Sequence, residues 1–130
     1  MTIELTMLAF AVVLGLVQIV LAAAATTAQT GLPWAAGPRD DAMPSTTAIC
    51  GRLRRVLSNF METFPLFAAA VLIAHAVGHH DWMTVWGAQL YFWARVVYVP
   101  LYAFGVFLAR TLAWTVATAG IVLILLSLAS

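Results

Sequence analysis

Four polar residues enter an apolar stretch on one helical stripe. Arg52, Arg55, Asn59 and Glu62 stand three, four and three residues apart, the spacing that aligns side chains on one face of a helix. Arg95, Tyr98 and Tyr102 follow the same rule at intervals of three and four. Arginine presents a planar fork of donors that suits carboxylates, and a carboxylate such as Glu62 suits an ammonium group. Arginines, one carboxylate, one amide and two phenols together would fit a small anionic ligand that also carries an amine. Charged and amide groups within membrane-spanning helices are costly and usually face the protein interior. The same residues could therefore serve only as a structural cluster, and spacing alone leaves the two readings level.

The surrounding chain is that of a membrane protein. It has 130 residues, of which 64% are hydrophobic and 8% charged, against roughly 25% charged in a soluble domain. Four apolar segments, roughly 4–28, 56–78, 83–108 and 111–129, qualify against the ~20 residues that a spanning helix needs. The expected fold is an all-α membrane protein, a single four-transmembrane-helix domain over residues 1–130. The first segment has no basic n-region and is too long for a signal-peptide core. Although Ala22–Ala25 imitates a cleavage site, the segment reads as a retained helix. Gln18 within it is expected to make an interhelical hydrogen bond.

Residues 31–47 form the longest loop, broken by Pro33, Gly37, Pro38 and Pro44. Ser45, Thr46 or Thr47 could cap the next helix, which begins near Thr47 and contains Pro65, where a kink or loosened turn is expected. The second connection, Gly78-His79-His80-Asp81-Trp82, reads as a solvated turn rather than a metal site. Its histidines are adjacent, and no further ligand pair is evident. The third connection, around Gly105 to Arg110, is short, so the last two helices should form an antiparallel hairpin. Counting inward from the outer turn places Glu62 at 78 − 62 = 16 residues and Arg95 at 95 − 82 = 13. The three-residue difference is about 4.5 Å of rise, so the two charges are expected to pair.

All six basic residues are arginines. Arg39, Arg52, Arg54 and Arg55 flank the first loop, Arg110 follows the third, and the second has none. The positive-inside rule then puts loops one and three in the cytoplasm and both termini outside, which for a bacterial inner membrane means periplasmic. A net charge of +1 without a basic tail gives no reason to expect nucleic acid. Cys50 is the only cysteine, so no internal disulfide is possible.

The pattern Arg52-x-x-Arg55-x-x-x-Asn59-x-x-Glu62-x-x-Pro65 resembles the MAPEG family (membrane-associated proteins in eicosanoid and glutathione metabolism). Arg95-x-x-Tyr98-x-x-x-Tyr102, with Arg110 after a glycine-containing turn, adds to the resemblance, as do length and loop pattern. It implies a homotrimer with glutathione as co-substrate bound between subunits near the cytoplasmic side, no metal, and a lipophilic small molecule arriving from the membrane lipids. On this chain Arg55, Asn59 and Glu62 would hold glutathione, together with Arg95, Tyr98 and Tyr102. Arg110 would stand near the thiol as the catalytic residue, favouring the thiolate. The chain departs from the family at Phe60, where prostaglandin E synthase-like members carry Asp. It also departs at Thr26-Thr27-Ala28-Gln29, where eukaryotic synthases carry a base. The resemblance implies a glutathione transferase or peroxidase. A non-enzymatic protein whose polar stripe holds the trimer together is the alternative, and a small multidrug exporter ranks last because it would want a carboxylate within the first helix and Glu4 lies too near its end.

Overall fold

The computed structural model describes residues 1–40 and 47–130, with only the backbone of Ala109. The chain forms α1 (Ile3–Thr30), α2 (Leu32–Ala36), α3 (Ala48–Ala76), α4 (Trp82–Ala103) and α5 (Ala109–Ala129), with no strand among the described residues. α1, α3 and the Arg110–Ala129 stretch of α5 are long and apolar enough to cross a membrane. α4 is long enough but more polar, because Gln89, Arg95 and three tyrosines lie along it.

Local chemistry accounts for the boundaries. Thr2 caps α1, its hydroxyl accepting from the Leu5 N–H. Thr47 caps α3 in the same way, accepting from Cys50 N–H at 3.4 Å. Of the other two cap candidates, Ser45 and Thr46, neither lies within the described residues, nor does Pro44. The first loop is less irregular than its prolines suggest: Leu32–Ala36 form a helical turn with proline in its first turn, where the missing N–H costs nothing. α3 runs unbroken across Pro65. α4 stops at Ala103, short of residue 108, where Gly105 turns the chain at φ 70°. Arg110, expected in the connection, is instead in the first turn of α5.

The core is built from aromatic rings of α3 and α4 against small residues of α1 and α5. Phe67 stacks on Tyr91 with centroids 4.0 Å apart, and the Tyr91 hydroxyl lies 3.0 Å from Thr63 Oγ1. Phe60 covers Gly15, where a Cβ would come within 3.1 Å of the ring. α4 and α5 cross at Gly87 and Gly120, each of which leaves no room for a Cβ against the other's carbonyl oxygen (2.6 and 2.5 Å). Small residues at such a crossing allow the close backbone approach on which membrane helix packing depends. Large apolar side chains on the outward faces, including Phe10, Val20, Leu66, Leu72, Trp93 and Leu126, are exposed. Gln18 departs from expectation. Its amide donates to Leu14 O in its own helix at 3.3 Å, and its buried Oε1 has no partner among the described residues.

The 79–81 turn is not the simple solvated turn the sequence suggests. Asp81 Oδ1 caps α4 by accepting from the N–H groups of Met83 and Thr84, both at 3.0 Å. Its Oδ2 accepts from the buried Ser127 hydroxyl of α5 at 2.7 Å. His79 Nε2 lies 2.6 Å from Ser127 Oγ and 3.1 Å from Asp81 Oδ2. Beside it, Glu4 of α1 is buried and accepts from His80 Nδ1 and from Thr84 Oγ1, the latter at 2.9 Å. A solvated turn was expected because adjacent polar residues beside a glycine read locally as surface. The partners Glu4 and Ser127 come from distant sequence.

Candidate functional site

At the opposite end of the bundle the α3 and α4 stripes converge with the start of α5. Arg55, Ser58, Asn59, Glu62, Tyr98, Tyr102 and Arg110 line a cleft of about 110 Å³. A larger hollow of about 360 Å³ adjoins it, sharing Asn59, Glu62 and Arg110 and adding Thr111 and Trp114. Six of the eight residues expected at the site thus meet around one opening. Ser58, Thr111 and Trp114 were not foreseen. Ser58 sits directly before Asn59, and Thr111 and Trp114 lie within a turn of Arg110, so adjacency to the stripe was the available signal.

The walls are fixed by hydrogen bonds and rings. Arg55 Nε donates to the Tyr102 hydroxyl at 3.0 Å, joining α3 to the end of α4. Tyr102 stacks on Tyr98 with centroids 5.4 Å apart. Arg52 lies outside the cleft and donates from Nη1 to Ala103 O at 3.4 Å, which closes the C-terminal end of α4.

Arg95 does not pair with Glu62. It is 1% exposed and donates from Nη1 to Asn59 Oδ1 at 2.7 Å. Its guanidinium lies over the Tyr98 ring at 4.3 Å and the Phe60 ring at 5.6 Å. The depth count was sound to about a turn, but rotation about the axis decided the partner. At 100° per residue Glu62 is turned about 60° from Asn59, enough to carry its carboxylate to the open side while Asn59 faces inward. Arg95 therefore stands behind the cleft wall. It fixes Asn59 and Tyr98, and its Nε and Nη2 are buried with no hydrogen-bond partner among the described residues. Stacking on aromatic faces offsets part of the cost of burying this charge.

Glu62 and Arg110 are both exposed. The ion pairs among the described residues are those of His79 with Asp81 and His80 with Glu4, at the other end. The cleft thus presents a carboxylate and a guanidinium, each without an internal ion-pair partner, beside a fixed amide and two phenols. No group of three His, Cys, Asp or Glu among the described residues is arranged to hold a metal ion.

These features define an integral membrane protein, all-helical, with an arginine- and tyrosine-lined cleft at one end of the bundle. The sequence profile of the MAPEG family matches residues 3–130, essentially the whole chain, and the chain belongs to that family. No curated protein and no solved structure matches it significantly.

Proposed function

We propose that the protein is a four-span homotrimer that binds glutathione in the cleft and transfers it to lipophilic electrophiles or uses it to reduce them. The observation that carries this reading is the convergence of Arg55, Asn59, Glu62, Tyr98, Tyr102 and Arg110 on one opening. Glutathione offers two carboxylates, one ammonium and one thiol. Arg55 supplies a fork for a carboxylate, Glu62 accepts the ammonium, and Asn59 and the phenols hydrogen-bond the peptide. The 110 Å³ cleft is too tight for the whole tripeptide, so the adjoining hollow takes the rest, and a second copy closes the open side.

Arg110 then stands beside the thiol. A guanidinium there favours the thiolate, which is the nucleophile. In a transfer the thiol proton leaves to water and sulfur forms a bond to an electrophilic carbon. The displaced electron pair stays on the acceptor, which takes a proton from solvent. Family membership places the protein in a group concerned with eicosanoid and glutathione metabolism, which supports this substrate pair.

Orientation follows from charge. The arginine-bearing starts of α3 and α5 meet around one cleft, the former tied to the end of α4 by the Arg52–Ala103 bond, and are assigned to the cytoplasm of a bacterial inner membrane with both termini periplasmic. A reporter fused to the C-terminus is expected to be active outside the cytoplasm. The buried Arg95–Asn59 bond favours a second reading, in which the polar stripe only holds the assembly together. Titration of the detergent-purified protein with glutathione, followed by heat or thiolate absorbance, separates the two. Saturable binding at millimolar glutathione is expected, and its absence rejects the transferase. Arg110→Ala is expected to keep most of the binding and lose turnover of a generic electrophile. Undiminished turnover removes Arg110 from the mechanism.

A further inference from the structure

We infer that the tip of the α4–α5 hairpin is a membrane-inserting element, seated where the hydrocarbon meets the headgroups of the leaflet on the arginine-rich side. Between Arg95 and Arg110 the chain carries no charged residue. Where α4 ends it exposes Phe104, Val106, Phe107 and Leu108, with Phe104 at 75% and Phe107 at 87%. The other two connections differ: one carries Arg39 and Asp40, the other His79, His80 and Asp81. An aqueous turn gains nothing from four large exposed apolar side chains, whereas burying them in hydrocarbon is favourable.

Helix length places the tip at that depth. α4 has 22 residues and α5 has 21, so each rises about 32 Å, close to the ~30 Å of the hydrocarbon core. Their joined end thus falls at the boundary. Two arginines flank it at headgroup level. Arg110 opens α5, and the Arg52 guanidinium lies against Gly105, where a Cβ would come within 3.1 Å of it. Cations beside an apolar tip suit a leaflet of phosphate headgroups above hydrocarbon. The tip also continues into an apolar groove of about 470 Å³ that runs from Val106 and Phe107 between α4 and α5 up to Trp86. The occupant of tip and groove is the hydrocarbon of the bilayer. If the proposed function holds, Arg110 then meets a lipid-soluble reactant at the hydrocarbon boundary without its crossing water. The insertion itself does not depend on glutathione.

Phe107→Cys labelled with an environment-sensitive fluorophore tests this in vesicles of phosphatidylcholine and phosphatidylglycerol. Cys50, the only native thiol, is buried. Asp40→Cys serves as the aqueous reference. At position 107 emission is expected to shift to the blue and to be quenched several-fold more by spin-labelled acyl chains than at position 40, with iodide showing the reverse. Iodide quenching at 107 equal to that at 40 places the tip in water and overturns the inference. Resistance to both quenchers means that another copy of the protein covers the tip, and overturns it as well. Phe104→Cys provides the same readout should a label at 107 disturb the turn.

Discussion

The two ends of this bundle both hold carboxylates, basic groups and hydroxyls, yet they treat them differently. At the end bearing Glu4, most polar groups are spent on one another, although Glu4 Oε1 is buried with no partner among the described residues. Glu4 Oε2 has two donors, Asp81 serves as both helix cap and acceptor from Ser127, and His79 bridges the pair. His79, Asp81 and Ser127 are the residue types of a hydrolytic triad without its geometry. A relay needs the hydroxyl and the carboxylate on opposite ring nitrogens, whereas here one nitrogen faces both and the serine donates straight to the carboxylate. At the end bearing Glu62, only the back wall is buried, where Arg95 donates to Asn59, and the front presents Glu62 and Arg110 outward. Polar groups satisfied internally hold helices together, while those held in place by neighbours but left open are available to a ligand.

The largest effect is expected at the back wall. Arg95→Met removes the donor to buried Asn59 and the cation between two rings, and should cost about 3 kcal/mol. Thermal unfolding in detergent would show it, and an unchanged midpoint would mean that Asn59 has another partner. Glu4→Ala should cost about 1 kcal/mol by removing the acceptor of Thr84 and His80, since the Thr84 hydroxyl keeps Asp81 O as acceptor and His80 is exposed. Glutathione affinity should not change, because the cleft lies at the other end. Coupled losses of both would break the division between the ends. Glu62→Gln should do the opposite, weakening glutathione binding by about tenfold and leaving the unfolding midpoint within the small range of surface changes. A midpoint drop comparable to that of Glu4→Ala would make Glu62 structural.

The smallest effect is a pH dependence at the closed end. The Ser127 hydroxyl, then the Thr84 N–H, hold the Asp81 carboxyl below its usual value of 3.8. A carboxylate with a depressed folded pKa contributes stability that is full above the unfolded pKa and is lost as pH falls through the folded one. Stability should therefore decline below about pH 4, and Asp81→Asn should flatten that decline. The side chain is 34% exposed, so solvent screens the effect and it stays small. An equally steep acid limb in Asp81→Asn would assign the loss to other carboxylates.

Much of this was legible in the chain because local rules govern it. The long apolar segments, the Thr47 cap and the α3 and α4 stripes follow from periodicity, and six stripe and helix-start residues do line one cleft. The Glu62–Arg95 pair failed because counting residues measures depth but not the angle at which two helices face each other. The 79–81 turn is solvent-accessible as expected, but its ties to the bundle were not legible because the partners lie 76 residues away at Glu4 and 46 away at Ser127. Gln18 bonds its own Leu14 carbonyl instead of a facing helix, a choice that periodicity within one segment does not reveal.

By itself the sequence determined that the chain belongs in a membrane, that it is helical, and that arginine, amide, carboxylate and phenol share helical faces. Composition and the 3.6-residue period suffice for that, since both act within one segment. Only the tertiary structure decided which polar groups are consumed. Packing Gly15 beneath Phe60, and Gly87 against Gly120, sets the rotation and approach of the helices. That rotation buries Arg95 against Asn59, closes Glu4 over Thr84, and leaves Glu62 and Arg110 facing outward.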